Sequence, residues 1–195
     1  MKITAVETIQ VQEFSNFLWL RIDTDEGLIG LGETARNPQA TAAYIHETAA
    51  PYLLGKSPLE IERHHHALTE TVGNRFAGYP SRSIEMRGNS AVDLALWDLF
   101  GKALGQPVWQ LLGGLCRDKI QIYNTCASAD YNRVARDGAN TRTVSIDSTA
   151  KRDYTIYEDL EAQMGAPEDL ALSLLDEGVK GMKIWPFDVF AMQSG

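Results

Sequence analysis

Cysteine is scarce: Cys116 and Cys126 are the only two in 195 residues. They carry no CxxC or Cys/His ligand spacing, which excludes a disulfide framework and a structural zinc site as organising features. Both are expected to be buried free thiols. Basic charge is short as well, with 18 Lys and Arg against 26 Asp and Glu and a net charge of −8 at pH 7. That balance has the wrong sign for non-specific contact with nucleic acid phosphates. It leaves room for an anionic small substrate, because local charge in a pocket can oppose the global sign. Long apolar runs are missing. Nothing approaches the roughly 18 uncharged residues that a membrane span needs, and the opening MKITAVETIQVQEF lacks the apolar stretch of a secretory signal. The expectation is a cytoplasmic protein with no membrane and no nucleic acid partner.

What is present is a globular composition, 44% hydrophobic and 23% charged, sufficient for a real core. The first segment alternates at period two and predicts strands over residues 2–12, 17–23 and 28–33. The last two are joined by Thr24-Asp25-Glu26-Gly27, with glycine where positive φ is cheap. Helical spacing follows. Asn37-Pro38 opens a helix to about Ala50, and Ser57-Pro58 opens another through Val72, with Ile61, His65, Leu68 and Val72 on one face. A longer helix is expected from Ser83 to Leu104, where Val92, Leu96, Leu99 and Ala103 form a stripe; the short VWQLL helix follows Pro107.

From Lys119 the pattern becomes strand, loop, helix, strand. KIQIYNTC, residues 119–126, predicts a buried strand; residues 167–178 predict an amphipathic helix, and GMKIWPFD a second strand. This is the repeating unit of parallel α/β folds, and the boundary before it falls near residues 113–119. Residues 127–165 form a polar stretch far longer than an ordinary strand-to-helix connection. It contains Tyr131, Tyr154 and Tyr157 and reads as either a disordered or a functional loop.

Four of these stretches together resemble one family. GLIGLGET in the meander, Ser90–Gly114 (SAVDLALWDLFGKALGQPVWQLLGG), KIQIYNTC, and the Gly-x-x-x-x-Lys ending at Lys183 are similar to the enolase superfamily, within its mandelate racemase and muconate lactonising enzyme branch. The landmarks Ala-x-Asp-x-Ala-Leu-Trp-Asp, Gly-Lys, Gly-x-Pro and Leu-Leu-Gly-Gly are the most specific part. The resemblance implies an α+β capping domain at residues 1–118, a three-stranded antiparallel meander followed by helices. After it, residues 119–195 would begin a TIM-like (β/α) barrel, incomplete because a barrel takes about 250 residues. A two-stranded parallel edge cannot close, so the chain is expected to be the N-terminal part of a longer enzyme and inactive alone.

The chemistry that the resemblance implies is removal of the proton α to a carboxylate, with magnesium steadying the resulting enediolate. The Mg2+ ligands would lie beyond Gly195, leaving none in this chain. Many relatives end the second strand in Lys-x-Lys; here it is Lys183-Ile184-Trp185. Alternation puts Lys183 and Trp185 on one side of the strand and Met182 and Ile184 on the other. Lys183 is then the catalytic candidate, as electrostatic partner of the substrate carboxylate or as sole base on its face. Trp185 cannot abstract a proton, which favours a sugar-acid (hydroxy acid) dehydratase, a lyase, over a racemase, epimerase or cycloisomerase. A reading of another class is a non-catalytic binding module.

Carried over by position, the cap contributes substrate-binding candidates Phe14 and Asn16, with Ser15 between them. The segment RFAGYPSR adds Arg75, Tyr79 and Arg82, whose guanidinium groups suit carboxylate oxygens. Arg82 and Arg87 can equally cap or pair along the helix, and Asp188 can face the site or cap the next helix. The expected partners are a small-molecule carboxylate substrate and further copies of the chain in a homo-oligomer. His64-His65-His66 looks like a metal cluster, yet successive helical residues fan out by about 100° and cannot converge on one ion. Asp93 and Asp98 diverge for the same reason, which leaves them helix packing or capping against the barrel.

Overall fold

The period-two alternation becomes an antiparallel sheet in the structure, a computed structural model that describes residues 1–71, 83–126 and 159–184. The chain forms two compact units, Met1–Cys116 and Arg117–Gly195. In the first, strands β1 (Ile3–Ile9), β2 (Phe17–Thr24) and β3 (Ile29–Ala35) lie in the order β1-β2-β3, every pair antiparallel. The β2–β3 turn closes through Gly27, at φ +80°, whose amide donates to the Thr24 carbonyl at 3.1 Å. Along β2 the sides separate cleanly: Leu18, Leu20 and Ile22 are buried, while Phe17, Trp19, Arg21 and Asp23 occupy the other face.

Helices cover the buried face. α1 (Pro38–Tyr44) runs through a wider π turn, Ile45–Ala49, into α2 (Ala50–Leu53). α3 (Ile61–His66) likewise passes into a π turn, Ala67–Thr71. α4 (Ser83–Leu104) lies along β3, and α5 (Val108–Leu111) follows it. The core joins Leu20 and Ile22 of β2 to Ile45, Leu53, Leu68, Leu96 and Leu99. Each of these fully buried side chains contributes on the order of 2 kcal/mol.

Side-chain size sets how closely α4 approaches. Register pairs Leu20 with Gly32 and Ile22 with Gly30, so both glycines face the helix. A Cβ on Gly32 would lie 2.0 Å from the Ala91 carbonyl oxygen, and one on Gly30 would lie 2.3 Å from that of Ala95. Asp98 adds a polar tie, accepting from the Leu31 amide at 2.8 Å and pairing with Lys102 at 2.7 Å. Within the first unit Asp98 therefore packs toward β3.

Several expectations need correction. α3 opens at Ile61 and not at Pro58, because Ser57 turns the chain, its Oγ accepting from the Leu59 amide at 3.3 Å. The buried face is Ile61, His64 and Leu68; His65 is exposed, and Val72 lies outside the described residues. The α4 stripe ends at Leu99, since Ala103 is exposed in the last turn. Cys126 is buried as expected, but Cys116 is exposed.

In the second unit, α6 (Asp159–Gly165) and α7 (Pro167–Asp176) pack Leu170 and Leu174 against Cys126, with Ala162, Val179 and Met182 around them. α6 falls in the stretch read as loop. α7 stops at Gly178, φ +83°, where the Val179 amide donates back to the Leu174 carbonyl. The expected buried strand at 119–126 is not formed as such: Ile120 is 77% and Ile122 64% exposed. Among the described residues its pairing is a single parallel bridge, Asn124 with Met182. Alternation alone cannot bury a strand that has no partner layer on its faces.

Gly32→Ala is expected to cost about 1–3 kcal/mol or more, the overpacking range, read as a lower urea midpoint of the chain. Leu31→Ala, one residue away on the exposed face, is expected to stay within about 0.5 kcal/mol.

Candidate functional site

The Asn124–Met182 bridge is where the two predicted strands meet. The Asn124 amide donates to the Gly181 carbonyl, and the Lys183 amide donates to the Asn124 carbonyl, both at 2.9 Å. Met182 turns inward onto the Cys126 and Leu174 cluster, and the next residue, Lys183, is exposed. Met182 and Lys183 thus differ in burial, as alternation expects. Ile184 departs from the pattern, being 56% exposed. Trp185 and Asp188 lie outside the described residues, as do Tyr131, Tyr154 and Tyr157.

Around Lys183 the backbone is held by side chains. The Asn124 carboxamide donates to Asp159 Oδ2 at 2.8 Å and accepts from the Cys126 amide at 2.7 Å. Gln163 donates to the Cys126 carbonyl at 3.1 Å. Burial pushes the Cys126 thiol above its ordinary value, Asp159 adds to the shift, and the Lys183 backbone amide opposes it. A neutral thiol is a poor nucleophile, so Cys126 acts here as packing.

The cap candidates belong to the first unit. Phe14 ends a single 3-10 turn, Gln12–Phe14, and packs edge-on to Trp19 at 6.5 Å; Trp19 in turn stacks on Phe17 at 5.9 Å. The Asn16 carbonyl accepts from the Arg36 amide at 2.7 Å, fastening the loop after β1 to the end of β3. Arg36 and the next residue, Asn37, both take left-handed backbone, φ 70° and 50°, a conformation that costs non-glycine residues about 1–2 kcal/mol each. Arg87 Nη1 donates to the Ala35 carbonyl at 2.7 Å, so Arg87 secures the sheet end and does not pair along its helix. Among the described residues, the buried Ser15 Oγ and Arg87 Nε have no hydrogen-bond partner. The second cap segment, with Arg75, Tyr79 and Arg82, lies outside the described residues.

The histidine run points three ways. His64 is fully buried, and because the Ser57 carbonyl at 2.7 Å only accepts, Nε2 carries the proton while Nδ1 takes the Tyr52 hydroxyl at 3.2 Å. His66 pairs with Glu70 at 3.4 Å, and His65 stands beside Asp93. Beneath them is a cavity of ≈ 10 Å³ edged by His64, Asn89 and Asp93, at the lower limit for one water. A wider hollow of ≈ 310 Å³ opens at the C-terminal end of α4 around Asp98, Gln106 and Val108. Among the described residues no three His, Cys, Asp or Glu side chains converge where they could hold a metal ion. No described helix is long and apolar enough to cross a membrane.

Sequence reasoning passed over Arg36, whose left-handed backbone has no residue-type signal, and Asp159, hidden in a polar stretch. Asn124 stood inside a quoted motif, but its bond to a residue 35 positions away leaves no local trace.

The meander and the α4 landmarks agree with what comparison shows. Residues 2–113 match the family model for the mandelate racemase / muconate lactonizing enzyme N-terminal domain. The chain belongs to that family, within the enolase superfamily. A D-galactonate dehydratase of Verminephrobacter eiseniae is 44% identical over 125 residues, covering 63% of this chain and 31% of that protein. A mandelate racemase subgroup enolase of Agrobacterium tumefaciens, solved with a succinimide residue, is 38% identical at a TM-score of 0.71. It covers 100% of this chain and 41% of its own. An enolase from Pantoea ananatis, solved with D-gluconate and magnesium, is 38% identical at a TM-score of 0.53, covering 63% of this chain and 29% of its own. The matched stretch thus spans under a third of the curated relative.

Asp93 yields a pH test. Burial raises its carboxyl above the ordinary 3.8, with Glu62 adding and His65 opposing. The folded state then binds the proton more tightly than the unfolded chain, so this contribution is present below pH 3.8 and lost as pH rises through the folded value. Asp93→Asn is expected to raise the urea midpoint at pH 7, with the difference from wild type closing as the pH falls below 3.8.

Proposed function

We propose that this chain supplies the cap and the first barrel strands of a sugar-acid dehydratase, a lyase that removes the proton α to a carboxylate and then loses water. The cap assignment covers residues 1–118 and the barrel start 119–195. The observation that carries the reading is Lys183, exposed at the end of a strand segment bridged in parallel to Asn124. Support comes from a relative named D-galactonate dehydratase and from a structural neighbour holding D-gluconate.

A proton α to a carboxylate is too weakly acidic for an ordinary base unless charge forming on oxygen meets preorganised cations. An ammonium group serves either side of that requirement, as a cation beside the carboxylate or, deprotonated, as the base. Magnesium is part of the proposal through the Pantoea neighbour, which was solved with it. Lys183 is the group proposed to carry this chain's share of the chemistry. Phe14 and Asn16 are proposed to border the substrate from the cap, with Arg75, Tyr79, Arg82 and Trp185 completing the contacts. A cytoplasmic homo-oligomer acting on one small carboxylate completes the reading, on composition and family resemblance.

In the complete enzyme supplied with magnesium and a panel of sugar acids, loss of water is expected to be measurable. Lys183→Ala is expected to lower kcat/KM about a hundredfold or more, the usual scale for an acid–base group. Unchanged turnover in that variant would remove Lys183 from the mechanism.

A further inference from the structure

We propose that Asn124 is the positioning residue for Lys183, and that Asp159 and Gln163 of α6 hold it in place. The inference rests on the assignment of Lys183 above. It starts from the backbone pairing of that lysine: the Lys183 amide donates to the Asn124 carbonyl, and the Asn124 amide donates to the carbonyl of Gly181 two residues before it. Asn124 and the Lys183 segment are thereby joined backbone to backbone.

The side chain of Asn124 decides where that junction is. A carboxylate only accepts, so the amide nitrogen faces Asp159, and the amide oxygen faces the Cys126 N–H. Both ends of the carboxamide are thereby used, and its rotation is fixed. The Asp159 bond involves an ionised acceptor and is stronger than a neutral one. Cys126, whose amide donates that local bond, takes left-handed backbone, φ 52°, a conformation that short local bonds of this kind stabilise.

Gln163 then takes the Cys126 carbonyl from the same helix. Asp159 and Gln163 are four positions apart on α6 and share a face. One helix face thus clamps two residues of the strand end, one through its side chain and one through its carbonyl. Gln163 and Cys126 are both buried, so the clamp is shielded from competing water. A helix belonging to the long connection after the first strand is therefore coupled, through a single carboxamide, to the residue proposed to do the chemistry.

The test uses the complete enzyme and D-galactonate or D-gluconate, whichever the wild type dehydrates. Misplacing a reacting group by about 1 Å can cost a hundredfold, so Asn124→Ala and Asp159→Ala are expected to lower kcat by about ten- to a hundredfold. KM is expected to stay within about twofold, because the loss falls on the transition state and not on substrate binding. Asp159→Asn keeps an acceptor oxygen for the Asn124 amide and is expected to restore most of kcat, which a merely structural defect would not allow. If Asn124→Ala does not fold, the Asp159 pair carries the test alone. Wild-type kcat in Asp159→Ala, or equal losses in Asp159→Ala and Asp159→Asn, overturns the clamp. Full turnover in Lys183→Ala overturns the assignment of Lys183 and this inference with it; loss there, with Asn124→Ala and Asp159→Ala unaffected, overturns the inference alone.

Discussion

The first unit depends on the contact between α4 and the two glycines of β3. With the Ala91 carbonyl 2.0 Å from where a Gly32 Cβ would stand, the helix backbone rests on the strand backbone with no side chain between. Such closeness requires small residues on both partners, and α4 supplies Ala91 and Ala95, both fully buried. Larger residues then fill the flanks, where Leu96 and Leu99 meet Leu20 and Ile22. Close packing turns this into a constraint on everything attached to α4, because interiors at crystal-like density transmit displacement instead of absorbing it.

That constraint reaches the cap candidates. Arg87 in the second turn of α4 holds the Ala35 carbonyl, and the next residue, Arg36, holds the Asn16 carbonyl. The loop carrying Phe14 and Asn16 is thus connected by two hydrogen bonds to the helix that rests on the glycines. Left-handed backbone at Arg36 and Asn37 persists there because both ends are fixed, by β3 on one side and by Pro38 opening α1 on the other. Strain of this kind survives only where the surroundings over-determine it. Tyr44 and Asn89 stitch α1 to α4 by a 2.8 Å bond, so both flanks of the strained pair trace back to one helix.

How legible this was in the sequence varies with the range of the interaction. β2, β3 and α4 were readable to within about two residues, because periodicity of two and 3.6 is local and these elements are half-buried with one clear face, whereas β1 was expected over 2–12 and ends at Ile9, before the 3-10 turn Gln12–Phe14. The buried face of α3 was misread because Ile61-His64-Leu68 and Ile61-His65-Leu68 fit a helix equally well. Only the Tyr52 hydroxyl and the Ser57 carbonyl, both distant in sequence, decide for His64. The strand at 119–126 was over-read. Alternating Ile120 and Ile122 announce a strand, but burial needs a layer to pack on, and among the described residues the cluster with Leu170 and Leu174 takes in only its Cys126 end.

The candidate site shows the same division. Lys183 could be placed from its motif and from alternation along a strand, both short-range. What surrounds it could not, since Asn124 and the α6 pair Asp159 and Gln163 come from two stretches far apart in sequence and meet only after α6 has packed beside Cys126. Asparagine is informative in such a place for a physical reason. Its carboxamide presents a donor and an acceptor on one carbon, so it can bridge a carboxylate and a backbone amide at once, where Asp could accept but not donate and Ser is too short to span both. A polar residue at the end of an apolar strand, such as Asn124 after Ile120 and Ile122, is therefore better read as a junction than as the point where a strand fades into loop. The lysine carries the proposed chemistry, and the neutral amide beside it is proposed to set the lysine's position.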